Sequence, residues 1–205
     1  MNQTTKIILK LFIIVCLFYQ KGIAQRRFNA SINGGMNFSQ IDGDQLAGFN
    51  KAGYQVGIAT GIELNNKMDL TAEFIFSHRG ASSSIFFDKS KDIQINLNYV
   101  DIPLVFSIKD WEIEEKNYHK VFAKTGIQYS RLINNSTNFI KYELPLSMIS
   151  NFDVSYLFGF GYNLSNKTGI EFRYSRSLRR TQKNLIEDIG NFKIYYWTFR
   201  VNYYL

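Results

Sequence analysis

One cysteine, two prolines and two histidines are all that this 205-residue chain carries of the residues that usually staple, kink or ligate. A lone thiol, Cys16, excludes an intrachain disulfide and a thiolate metal cluster. No helical periodicity recurs beyond the first two dozen residues, which argues against a helical bundle. The formal charge of +7 is too mild to point to nucleic acid.

The N-terminus has Lys6 and Lys10, the apolar run Leu11 to Phe18, and Gly22-Ile-Ala24 ahead of Gln25. That order predicts a secretory signal peptide over residues 1–24. The apolar run is too short to span a bilayer as a helix. Cys16 lies inside it after bulky Val15, which does not suit a lipid-attachment site. Cleavage would remove the cysteine and three lysines but no acid, lowering the charge from +7 to +4. Residues 25–205 then form one domain, and export makes a nucleic-acid partner unexpected.

What the chain does have is aromatic side chains, 13 Tyr and 18 Phe, threaded at every second place among Asn, Ser, Gly and charged residues. Alternation is the period of a strand with two unlike faces. It appears eight times: Phe28 to Phe38, Tyr54 to Leu64, Leu70 to Ser77, Ile93 to Phe106, Val121 to Ser130, Val154 to Tyr162, Ile170 to Ser175 and Tyr195 to Leu205. Ile75 breaks the third run. In the fourth, Ile93, Ile95, Leu97 and Tyr99 give way to Val100, Ile102, Leu104 and Phe106, which predicts a β-bulge near Tyr99. Pro103 follows, where interrupted pairing would tolerate it.

Connections are long from Gln40 to Lys51, Arg79 to Lys91, Asn134 to Asn151 and Leu178 to Lys193, and short at 65–67 and 165–167. The segment Asp110 to Tyr118 is too long for a hairpin turn and predicts an insertion.

Alternation alone fits a soluble, lipocalin-like ligand-binding barrel in the periplasm equally well. Three features favour lipid outside: aromatic residues toward strand ends, strands of about ten residues, and alternating short and long connections. A sheet in hydrocarbon must close to remove its edges. The fold class expected is therefore all-β, an eight-stranded antiparallel up-and-down transmembrane β-barrel. Eight strands leave an interior only wide enough for side chains. Glu63, Glu73, Lys124, Glu171, Arg173 and Arg200 lie on the polar faces and are expected to pair as a lumen charge network. Gly57, Gly61, Gly126, Gly159 and Gly161 are expected to make room for them, giving a plugged lumen.

Several stretches carry a resemblance: "GGMNFSQ" at 34–40, "AGYQVGIATGIEL" at 52–64, "EFIFSHRGAS" at 73–82, "LNYVDIPLVFSIK" at 97–109 and "GFGYNLSNKTGIEFRYSRSL" at 159–178. In order and spacing they resemble the PorT-like outer-membrane β-barrel family of Gram-negative bacteria. The resemblance implies an eight-stranded barrel in the cell outer membrane. One member of that family is linked to type IX protein secretion, so a secretion-system or other envelope protein is an implied class of partner. Barrel proteins resemble one another in ending on a hydrophobic residue read by the barrel assembly machinery. Tyr203, Tyr204 and Leu205 would be that signal here.

Arg173, Arg176, Arg179, Arg180 and Lys183 run from the seventh strand into the last external loop. Arg176, Arg179, Arg180 and Lys183 are candidate contacts for lipopolysaccharide phosphates, with a solvated basic loop as the plainer alternative. Catalysis is not expected. Ser77 and His78 are neighbours on one strand and point to opposite faces, away from a triad with Glu73. His119 belongs near the opposite end of the barrel. Asp42, Asp44 and Asp88 lack the further ligands of a calcium loop. No cofactor or metal is expected. The functional expectation is a structural, secretion-accessory or interaction role through external loops, with an outer-membrane lipid-modifying enzyme as the more distant alternative.

Overall fold

A computed structural model describes residues 28–42, 48–84, 94–137, 150–178 and 193–205. Eight strands follow in order: β1 (Phe28–Asp42), β2 (Lys51–Asn65), β3 (Met68–Ser82), β4 (Gln94–Ile113), β5 (Tyr118–Thr137), β6 (Phe152–Asn163), β7 (Thr168–Ser177) and β8 (Lys193–Tyr204). Each pairs antiparallel with its sequence neighbours, and β8 returns to β1 to close the barrel. Closure runs from Ser31↔Tyr204 to Asp42↔Lys193, so neither strand keeps a long free edge.

The pleat sorts side chains by chemistry. Ile32, Val56, Ile58, Phe74, Leu104 and Phe158 point outward and are about half exposed, whereas Asn37, Ser39, Ser77, Ser130 and Thr198 are fully buried inside. A soluble barrel would bury the first set and wet the second. The inverted pattern is that of a barrel whose outer solvent is hydrocarbon. Among the described residues no helix is long and apolar enough to cross a membrane, so the crossing is made by strands. The short turns, the start of β1 and the end of β8 share one end of the barrel, the periplasmic one in this architecture, and the strand ends that lead into the long connections share the other. Toward that external end the outer surface is aromatic: Phe172 stacks on Trp197 at 4.8 Å and Tyr174 lies 4.7 Å from the same ring.

Two sequence expectations need correcting. A bulge does lie near Tyr99, as expected, but it belongs to β5 and does not cause the parity change in β4. Tyr99, Asp101, Val105 and Ser107 all stay inside, in phase. The register shift lies opposite Asn98 and Tyr99, whose partners are Asn134 and Leu132, so the extra residue is Ile133 of β5. What changes along β4 is the environment. Beyond the lipid, water surrounds the barrel, and the apolar residues Ile95, Leu97 and Tyr99 turn inward while Asn96 and Asn98 take the outer face. Pro103 does sit at an interruption: the β3–β4 ladder stops at Ala72↔Leu104 and resumes at Ile75↔Asp101.

The predicted insertion at 110–118 is instead a hairpin. β4 and β5 stay paired through Glu112↔His119 and Ile113↔Tyr118, and a short 3-10 turn, Glu114–Lys116, closes them with Asn117 left-handed at φ 50°. Alternation fades there because both faces meet water, not because pairing ends.

Candidate functional site in the barrel lumen

Inward residues of β3, β5, β7 and β8 meet at mid-barrel. Glu73 accepts two guanidinium forks, from Arg173 (Nη1 and Nη2, both 3.0 Å) and from Arg200 (3.0 and 2.8 Å). Glu171 takes Arg173 Nε at 2.9 Å, Arg200 Nη2 at 2.9 Å and Lys124 Nζ at 3.0 Å. Asn202 Nδ2 adds a further donor to Glu171 at 3.2 Å. Planar forks on carboxylates are among the strongest charge-assisted hydrogen bonds, and fixed pairing of this kind is what lets ions stay buried.

Five of the six residues expected in the lumen network are brought together here. Glu63 is not. It lies two residues from the end of β2, with its side chain 42% exposed and 3.7 Å from Lys109 Nζ, while Lys109 makes its closer contact, 3.1 Å, to Asp69. Period two fixes which face a residue occupies but not its depth along the strand.

Glycines open space for these side chains, though not all for the charged ones. A Cβ on Gly159 would press on the Arg173 backbone at 3.3 Å, and one on Gly35 would meet Arg200 Cβ at 2.6 Å. Gly161 instead admits the Phe122 ring, and Gly57 admits Ile75, the residue that breaks the alternation of β3.

A second layer lies above the first, and no sequence signal singled it out. Arg79 is fully buried, forked on Asp101 at 3.1 and 3.2 Å and bonded to Tyr196 Oη at 2.7 Å. Its guanidinium sits between the rings of Tyr99 and Tyr196, 4.1 and 4.7 Å from their centroids. Gln128 also donates to Tyr196 Oη. On the external side, Ile41, Ala81, Ile95, Leu97 and Ile194 pack with both tyrosines into an apolar layer. Toward the periplasm the lumen opens as a polar cavity of about 280 Å³ that reaches Glu73, Lys124 and Arg200. The interior is therefore a blind vestibule beneath two stacked closures.

No triad forms. Ser77 faces the lumen and accepts from Asn37 Nδ2 at 3.0 Å, whereas His78 lies outside, stacked on Tyr54 at 5.5 Å and 2.7 Å from Asn98 Oδ1. His119 sits at the periplasmic mouth. Among the described residues no group of three or more His, Cys, Asp or Glu is placed to hold a metal. Asp42 pairs in register with Lys193 and accepts from Tyr195 Oη at 2.8 Å. Asp44 and Asp88 lie outside the described residues, as do Arg179, Arg180 and Lys183. Arg176 is described: it is on the outer face of β7, its guanidinium 5.7 Å from the Tyr195 ring.

A family model described as outer membrane protein beta-barrel domain matches residues 18–182. The chain belongs to this family. The outer membrane is thus the location of this barrel, in keeping with its apolar exterior. Comparison with curated proteins returns no match. Among solved structures, Ail, the attachment invasion locus protein of Yersinia pestis, aligns with a TM-score of 0.48 at 16% identity, over 87% of this chain and 99% of its own. Neisserial surface protein A aligns with a TM-score of 0.49 at 11% identity, over 86% and 96%. OprG of Pseudomonas aeruginosa aligns with a TM-score of 0.45 at 9% identity, over 87% and 96%.

Proposed function

We propose that this outer-membrane barrel is a non-enzymatic scaffold that acts through its external end, in a structural, secretion-accessory or interaction role. The observation that carries this reading is the doubly closed lumen. With Arg79 and the apolar layer above the charge network, the interior offers no route across the membrane among the described residues, which leaves the outer surface and the external loops to do the work. The likeness to the PorT-like family supports a partner in the envelope or a secretion system. Residues 1–24 act as the export signal, and the barrel assembly machinery reads Tyr203, Tyr204 and Leu205.

Lipopolysaccharide is the lipid partner in this proposal. Arg176 stands on the outer face beside Tyr195, where a guanidinium can fork onto a phosphate, and Arg179, Arg180 and Lys183 continue the basic run. Changing all four to Gln is expected to lower the lipopolysaccharide that co-purifies with the barrel several-fold, with heat-dependent migration on a gel unchanged. Equal recovery would refute the contact. In the same preparations, Ser77→Ala and His78→Ala are expected to give the same lipid A mass profile as wild type, and a modification lost in either variant would restore the enzyme alternative.

A further inference from the structure

The vestibule carries an imbalance of charge. At its floor two carboxylates, Glu73 and Glu171, face three cations, Lys124, Arg173 and Arg200. Four of the five are buried and Lys124 is half-buried, and their sum is one positive charge. The layer on the external side, Arg79 with the buried Asp101 and Asp153, carries one negative charge, so the lumen is polarised along its axis and the floor presents its positive surplus to the cavity. Two donors are available to take an anion. Lys124 Nζ has three protons and donates to Glu171. Its side chain is 13% exposed, against 3% or less for the other four, so it is the member that opens onto the cavity. Arg200 Nε, also on a residue lining the cavity, is buried with no hydrogen-bond partner.

The mouth has the opposite sign. Glu63 and Asp69 are register partners across β2 and β3, and among the described residues Lys109 is the cation between them. His119 lines the same cavity, 6% exposed, with Nε2 unpartnered and 3.9 Å from Glu112. Floor and mouth together form a pocket polarised along the barrel axis. At about 280 Å³ it lies just below the roughly 300–1,000 Å³ typical of drug-sized sites, which suits a smaller ligand.

We propose that the periplasmic vestibule binds a small zwitterionic carboxylate of amino-acid or dipeptide size, with its carboxylate at Lys124 and Arg200 and its ammonium group toward Glu63 and Asp69. The site opens to the periplasm and is independent of the external loops.

The probe is alanyl-alanine titrated calorimetrically into the full-length barrel in detergent micelles, with N-acetyl-alanyl-alanine, glucose and inorganic phosphate as comparisons. Saturable binding is expected with a Kd at or below about 1 mM. Lys124→Gln leaves the floor neutral and is expected to weaken binding about 10- to 100-fold, the loss of one charge-assisted hydrogen bond. The acetylated dipeptide is expected to bind several-fold more weakly than the free one. No saturation, equal affinity in Lys124→Gln, or tighter binding of glucose or phosphate would overturn the proposal. Should Lys124→Gln fail to fold, the two dipeptides on the wild-type barrel decide the matter, and equal affinities would overturn it.

Discussion

Glu73→Gln is expected to destabilise the barrel by about 3–5 kcal/mol, the range for breaking a buried ion pair from one side. The substitution keeps the side chain's shape but removes the shared acceptor of two guanidinium forks. Arg173, Arg200 and Lys124 would then face Glu171 alone, taking the floor from one surplus positive charge to two. The measurement is the urea midpoint of the barrel refolded in lipid vesicles, followed by heat-dependent gel migration. Glu63→Gln is the control. Its side chain is 42% exposed and 3.7 Å from Lys109, so solvent screening holds its effect to about 1 kcal/mol or less. Removing a cation as well, in Glu73→Gln with Arg200→Gln, is expected to recover part of the loss because the surplus charge falls. Equal effects of the Glu73 and Glu63 substitutions would show that depth in the lumen does not matter.

Deleting Tyr203 to Leu205 is expected to abolish assembly. Tyr203 pairs with Ile32 of β1 and with Thr168 of β7, and Tyr204 pairs with Ser31. The backbone N–H of Tyr204 donates to Lys167 O at 2.8 Å and that of Leu205 to Ala30 O at 3.0 Å. Tyr204 Oη reaches Asn163 Oδ1 at 3.1 Å. The deletion therefore strips the periplasmic end of the closing seam on both sides of β8. Unpaired strand edges are not tolerated in or beside hydrocarbon, where each unsatisfied group costs several kcal/mol. Tyr204→Phe separates the terms, since it removes only the bond to Asn163 and is expected to cost about 1 kcal/mol. The assay is recovery of a heat-modifiable species in the outer-membrane fraction. Normal recovery of the truncated chain would count against β1–β8 closure as the assembly-limiting feature.

The alternation of Tyr195 to Leu205 and its seven counterparts made the barrel legible in the sequence, because hydrocarbon outside and a crowded polar interior impose opposite chemistries on successive residues. Glu171 and Arg173, two apart on one face, could be assigned to the lumen on that ground alone. Depth was not legible. Glu63 shares a face with the network yet lies at the mouth, since nothing in period two records the distance to a strand end. The polar stretch from Arg79 to Lys91 reads as a connection in the sequence, and Ile75 interrupts the polar face before it. Only the cross-strand pairing of Ile75 with Gly57 explains that interruption and lets β3 run on to Ser82. A bulge does lie opposite Tyr99, yet it does not cause the inward turn of Ile95, Leu97 and Tyr99: the outer solvent changes from lipid to water along a strand whose own geometry does not change.

The Arg79 layer matters most for the proposed function, because it closes the described lumen on the external side of the charge network. If both closures hold, the barrel displays its loops without conducting. Planar-bilayer recording of the refolded full-length protein tests this most directly. The expected result is a silent bilayer with wild type across the usual voltage range. Reproducible unitary steps of fixed size from the wild-type barrel would contradict the closed-lumen account.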